Sequence, residues 1–386
     1  MKVLHVAPSL AQSYGGPTQS LAGYTVVSRL AGIDVSIVAP RCAPADLAPF
    51  VARAGQTDLH LFRTVGSGAF AISPALVRWV RRHARSFDVV HVHGLFNPIS
   101  SLSARTALRS GTAVVVRPFG TLSRYTFRHR RTALKRAWFA LIERRNLQDA
   151  SALHFTSATE RSEADWHGID FTGRAYVVPP PAAGAVVRSL EHGEIQDGAR
   201  VLFLGRINPV KNLESLLDAW LFVRNRLPEA VLEVAGDGDS DYIAALHHRA
   251  AINGIADSVV FHGFVSGAPK EKLLASASVL VLPSHHENFG LAALEAVEAG
   301  VPVIVSPEVH LADFVTSENV GKVVASNPSL LADAITDVIA DDQIRSRTRE
   351  FGADIVARNF SSEAIGALLS TMYRAAIERS RLIASS

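Results

Sequence analysis

Two runs in this 386-residue chain hold residue types that suit an anionic, hydroxyl-rich ligand. The first is Glu287-Asn288-Phe289-Gly290-Leu291, followed by Glu295. A carboxylate accepts hydrogen bonds, so two glutamates eight residues apart can accept from the hydroxyls of a sugar. The apolar spacing of Leu291, Ala292, Leu294, Ala296 and Val297 predicts a helix with Gly290 in its first turn. Glu287 then precedes the helix and Glu295 lies more than a turn inside it. The amides at Phe289, Gly290 and Leu291 open the helix and suit a phosphate. The second run is Gly205-Arg206-Ile207-Asn208-Pro209-Val210-Lys211-Asn212. Arg206 as a planar fork and Lys211 as a point charge could hold a diphosphate and stabilise charge on it as it departs. Plainer roles exist for each: Glu287 as a helix cap, Glu295 as a surface charge, Arg206 and Lys211 as surface cations.

The elements that must carry these residues alternate along the chain. Short β-branched runs such as Val3–Ala7, Val89–Val92, Ala113–Val116, Val201–Leu204 and Val279–Leu282 read as buried strands, with helical patterns between them. This is the pattern of parallel sheets covered on both faces. Pro179-Pro180-Pro181 and the polar stretch after it break the alternation and mark a linker. The fold class expected is α/β, with two Rossmann-like, doubly wound parallel-sheet domains facing across a cleft. The first spans 1–182 and the second 183–362; a last helix, 363–386, either stays with the second or crosses back. Parallel sheets bind ligands at the carboxyl ends of strands. The residues that follow strands include Gly15-Gly16, His93-Gly94, Arg117-Pro118-Phe119-Gly120, Gly205-Arg206, Gly236-Asp237-Gly238, Gly263 and Ser284 to Glu287.

Taken together, Gly15-Gly16-Pro17, Asp88 to Gly94, Gly205 to Asn212, Gly236-Asp237-Gly238, Phe261 to Val265 and Pro283 to Ala296 resemble the retaining glycosyltransferases of the GT-B fold, family 4 (glycosyl transferases group 1). The resemblance covers nearly the whole chain. It implies a nucleotide diphosphate sugar as donor, UDP or GDP, held mainly by the second domain, with no metal and no cofactor. By analogy Arg206 and Lys211 hold the diphosphate, and Glu287 contacts the sugar. Asn288, Phe289, Gly290 and Leu291 reach sugar and phosphate. Glu295 accepts from the ribose, Gly205 opens the diphosphate loop, Gly263-Phe264-Val265 border the base, and Gly16 lets the first domain approach the donor. The family reaction retains anomeric configuration and is described as front-face attack with the leaving phosphate as base. One departure stands out: many members carry a His-Gly where this chain has Phe119-Gly120. His93 or Arg117 are the candidates to compensate near the acceptor or reaction centre; a turn residue bonded to backbone is the alternative for His93.

The charge is unevenly spread: 1–182 carries a net +12 and the remainder −9. Much of the excess lies in Arg117, Arg124, Arg128, Arg130, Arg131, Lys135, Arg136, Arg144 and Arg145, against Glu143 alone. Leu134, Trp138, Leu141 and Ile142 recur there at helical spacing. The expectation is a glycan or lipid-linked acceptor and a peripheral contact with an anionic membrane, in a cytoplasmic protein. A solvated basic face is the simpler alternative. No nucleic-acid motif is present. The lone Cys42 rules out an intramolecular disulfide, and no HExxH or similar spacing appears among the 15 histidines. A nicotinamide enzyme would need G-x-G-x-x-G after the first strand, which is missing. The remaining alternatives are a sugar-nucleotide epimerase, or an inactive sugar-nucleotide or membrane-binding subunit of the same fold.

Overall fold

The computed structural model describes residues 1–66, 68, 71–128, 132–182 and 198–385, with side chains to 383. The chain forms two compact units, Met1–Pro181 with Phe360–Ser386, and Ala182–Asn359. The linker expected after the three prolines falls largely on 183–197, outside the described residues.

The first unit is built on seven strands: β1 (Lys2–Val6), β2 (Asp34–Pro40), β3 (Asp58–Phe62), β4 (Val89–His93), β5 (Ala113–Arg117), β6 (Ala152–Phe155) and β7 (Ala175–Val177). They run parallel in the order β3-β2-β1-β4-β5-β6-β7. The strands are buried because Val and Ile alternate onto both faces. Leu4, Val6, Val90, Val92, Val114 and Val116 enter one core. Val3, Val89 and Val115 enter the other, with Ile365, Leu369, Met372 and Tyr373 of the final helix, Ser362–Ser385. That helix lies on the helix Gly16–Leu30, where Gly366 lets the two approach: a Cβ there would stand 3.2 Å from that of Ala31.

The second unit holds β8 (Arg200–Leu204), β9 (Val231–Ala235), β10 (Val259–Gly263), β11 (Val279–Leu282), β12 (Val303–Val305) and β13 (Gly321–Val323). These too run parallel, in the order β10-β9-β8-β11-β12-β13. In each sheet the strand order reverses once, between β1 and β4 in the first and between β8 and β11 in the second. Ligands of doubly wound sheets bind at that switch point, beyond the carboxyl ends of the strands.

The basic segment departs from the single helical pattern expected of it. The chain forms a helix at Thr132–Trp138, a π-helical turn at Phe139–Glu143 and a second helix at Arg144–Asp149. The extra residue of a π-turn rotates the face presented inward. Phe139 and Glu143 are buried, whereas Leu134 and Leu141 are 46% and 79% exposed. Arg130 and Arg131 lie outside the described residues.

Candidate functional site

The loops leaving β8 and β11 flank the switch point of the second sheet, and they carry the residues singled out above. Asn208 caps the short turn Pro209–Lys211 by accepting from the Val210 amide at 3.1 Å. Asn212 adopts a left-handed backbone (φ 54°) and points its amide back to the Pro283 carbonyl at 3.1 Å. The His285 amide donates to the Val210 carbonyl at 2.8 Å. Stitched in this way, the two loops bring the Lys211 ammonium onto the Glu287 carboxylate as an ion pair. Glu287 is fixed from behind as well: its amide donates to Glu308 and its carbonyl accepts from His310, at 3.0 and 3.1 Å.

Gly290 is the cap of the helix Leu291–Glu298, not a residue of its first turn as the sequence pattern suggested. Its φ of 98° and its closeness to Val309, whose Cγ1 would lie 3.0 Å from an added Cβ, together demand glycine. The Ala293 and Leu294 amides both bond to its carbonyl. The amides of Leu291 and Ala292 have no acceptor within the helix, as at any helix start. Asn288 is half-buried, Phe289 is 7% exposed, and Leu291 is half-buried at the helix start. Glu295 sits on this helix and pairs with Lys270 at 2.9 Å, so one of its oxygens is engaged. Lys270 lies on the helix Ala268–Ser276 and was not foreseen. No local signal reveals it, because the pair forms only through tertiary packing.

Arg206 is exposed, and Gly205 beside it is half-buried. The Gly205 amide donates to Ala235, and the Gly236 amide to Gly263, so the loops after β8, β9 and β10 are tied in series. A Cβ on Gly236 would meet the Gly205 carbonyl oxygen at 1.8 Å, so only glycine permits this approach. Phe264, just past β10, is 54% exposed, with the half-buried Val265 next to it. Burial and the Arg206 guanidinium bring the Lys211 pKa down to about 8. The ammonium therefore still predominates at neutral pH, and Glu287 beside it favours that form.

In the first unit, Gly16 begins the helix Gly16–Leu30 and is exposed. His93 and Arg117 end β4 and β5 as register partners. The Arg117 guanidinium lies 3.9 Å from the Phe119 ring centroid and 4.6 Å from that of Tyr24. Phe119 adopts φ 57°, and the Gly120 amide donates to the buried Glu160 at 2.6 Å. The His93 ring centroid stands 6.0 Å from that of Phe119. These four sequence-selected residues thus form one cluster at the carboxyl edge of the first sheet.

Sequence profiles of two families match the chain: "Glycosyl transferase 4-like domain" over residues 15–181, and "Glycosyl transferases group 1" over residues 190–354. Between them they take in every strand after β1 and all the loops just described. The chain belongs to the group 1 glycosyltransferases. Among relatives of this glycosyltransferase, a phosphatidyl-myo-inositol mannosyltransferase of Mycobacterium leprae is 28% identical over 93% of this chain and 92% of its own. An uncharacterized glycosyltransferase of Methanocaldococcus jannaschii is 35% identical over 48% of this chain. That match spans about half of the relative's length (47%). The solved structure of Anabaena HepE with UDP-glucose has the same fold, with TM-score 0.74 and 18% identity over 96% of this chain and 99% of that one.

Proposed function

We propose that the chain transfers a sugar from a nucleotide diphosphate sugar, with UDP or GDP as the nucleotide, to a glycan or lipid-linked acceptor with retention of configuration. The observation that carries this reading is the meeting of Lys211 and Glu287 at the switch point of the second sheet, with an exposed Arg206 on the same loop. The ammonium and guanidinium take up charge as the bond between the anomeric carbon and the diphosphate oxygen breaks. The acceptor oxygen forms the new bond on the same face, and its proton passes to the departing phosphate. Glu287 and Glu295 orient sugar and ribose through hydroxyls. Lys211 and Arg206 supply positive charge for the diphosphate, so this reading calls on no metal.

The reaction is tested by incubating the chain with UDP- and GDP-sugars and phosphatidylinositol or an oligosaccharide acceptor, in the presence of EDTA. The expected product keeps the donor's anomeric coupling constant in proton NMR, and EDTA leaves the rate unchanged within about twofold. An inverted product, or a rate restored only by added Mg²⁺ or Mn²⁺, would overturn the reading.

The acceptor reading includes a peripheral membrane contact. No helix among the described residues is long and apolar enough to cross a membrane. The exposed Leu134 and Leu141 instead share the basic segment with the exposed Arg136, Arg144 and Arg145. Cations near an anionic surface contribute about 1 kcal/mol each, and this falls with salt. Flotation with vesicles containing 30% anionic lipid is expected to carry the protein at low salt and release it at 0.5 M NaCl. Equal flotation with neutral vesicles would sink the idea.

A further inference from the structure

One face of the first sheet carries a row of polar side chains inside an otherwise apolar core. His5 on β1, His91 and His93 on β4, Arg117 on β5 and His154 on β6 are all 1% exposed or less. The hydrogen bonds settle most of the row. The Val178 carbonyl accepts from His154 Nε2 at 2.8 Å, so His154 Nδ1 accepts from His91 Nε2 at 3.3 Å. His91 Nδ1 in turn accepts from the Tyr373 hydroxyl at 2.9 Å. Both nitrogens of His91 and of His154 are thereby used.

The other half of the row is left incomplete. His5 Nδ1 and His93 Nε2 lie 2.8 Å apart, so one ring donates to the other. Two neutral rings hold two N–H groups, and this bond uses one. The second falls on His5 Nε2 or His93 Nδ1, and both atoms are buried without a partner. Arg117 is in a similar position. Its guanidinium donates to Ser20 Oγ at 3.2 Å, its Nε is buried without a partner, and among the described residues it forms no ion pair. Glu160 acts on it electrostatically but spends one oxygen on the Gly120 amide and the other on the amide and hydroxyl of Thr156. Tyr24 donates to Val178. A buried charge is ordinarily paired, and an unmet buried donor is costly. The faces of Tyr24 and Phe119 offset only part of this.

We propose that Arg117 and the His5–His93 pair form an oxyanion subsite that takes the phosphate of a substrate. This rests on the transferase reading above and adds to it the chemistry of one bound group. A planar guanidinium fork and a neighbouring imidazole N–H suit a tetrahedral oxyanion. A cation fits less well. The nitrogens of His5, His91 and His93 do lie within 4.8 Å of one another, but His91 is already engaged and Arg117 would repel the ion. Phe119, half-buried and held at φ 57°, lies on the guanidinium and must turn aside to admit a ligand.

The test is thermal melting of the full chain in inorganic phosphate, sn-glycerol 3-phosphate or UDP, with chloride at matched ionic strength as control. Saturating phosphate is expected to raise the melting temperature of the wild type and of Lys211→Ala by about 2–4 °C. Arg117→Met is expected to lose that shift, and Arg117→Lys to need about tenfold more phosphate, since it keeps the charge but not the fork. If glycerol 3-phosphate loses its shift in Arg117→Met along with phosphate, the bound group belongs to the acceptor; if UDP loses its shift along with phosphate instead, it belongs to the donor. A shift reproduced by chloride, absent from the wild type, or unchanged in both Arg117 variants would overturn the subsite. Failure of the donor reading shows separately, as UDP binding that persists unchanged in Lys211→Ala.

Discussion

Lys211→Ala is expected to lower kcat/KM by about 10²–10³-fold while leaving the fold intact. That is the usual cost of removing one preorganised group that stabilises developing charge. The side chain is not part of a hydrophobic core; its ammonium meets Glu287 between two loops whose backbones are tied by separate hydrogen bonds. Alanine would also leave the Glu287 carboxylate unpaired beside the incoming diphosphate, adding repulsion to the lost attraction. The pH dependence carries the same signature. The Lys211 pKa is lowered to about 8, chiefly by burial and then by Arg206, so the charged form is lost as pH rises through that value. The wild-type kcat/KM should fall above about pH 8, and this alkaline limb should be missing from Lys211→Ala. Steady-state rates from pH 6 to 9 check both points. A variant within fivefold of wild type, or one that keeps the alkaline limb, contradicts the assignment.

The second large effect concerns stability. His5, His91, His93 and His154 are fully buried and held neutral, chiefly by desolvation, with Arg117 or neighbouring histidines adding to the effect. The His5 pKa falls to about 3 and the other three lie well below 6.5. In the unfolded chain all four protonate near 6.5. Below that pH the unfolded state binds more protons than the folded state. Stability is therefore complete above pH 6.5 and is lost as pH falls towards about 3, where His5 would charge even when folded. Each histidine contributes a slope of up to about 1.4 kcal/mol per pH unit. Urea midpoints of the first unit's transition should drop steeply between pH 6.5 and 5. His154→Gln should reduce that slope. A midpoint that stays flat across this interval contradicts the neutral, buried row.

Much of the fold could be read from residue pattern alone, because the cue is local. Runs such as Val89–Val92 and Val279–Leu282 have the β-branched content of strands buried on both faces, and Gly94 or Glu287 stands within a few residues of their ends. The loop residues from Gly205 to Asn212 and from Glu287 to Gly290 stood out because unusual types fall where parallel sheets bind ligands. What escaped the sequence depends on partners distant along the chain. Lys270 finds Glu295 only when two helices pack. His91 and His93 alternate on one strand and so share a face, but their meeting with His5, His154 and Tyr373 needs β1, β4, β6 and the final helix together. The π-turn at Phe139–Glu143 ends on the buried Glu143, whose carboxylate takes bonds from Trp138 and, through tertiary packing, from Phe96 and Ser101. The left-handed backbones of Asn212 and Phe119 were equally out of reach, since neither is glycine.

On the proposed reading, the loops after β8 and β11 bind the nucleotide diphosphate. Calorimetric titration of the full chain with UDP and GDP tests it most directly, comparing wild type with Arg206→Ala and Glu287→Gln. One site per chain is expected for one of the two nucleotides, weakened at least tenfold by Arg206→Ala and little changed by Glu287→Gln, whose partner is the sugar. Equal affinity in wild type and Arg206→Ala, or no binding of either nucleotide at millimolar concentration, would contradict it.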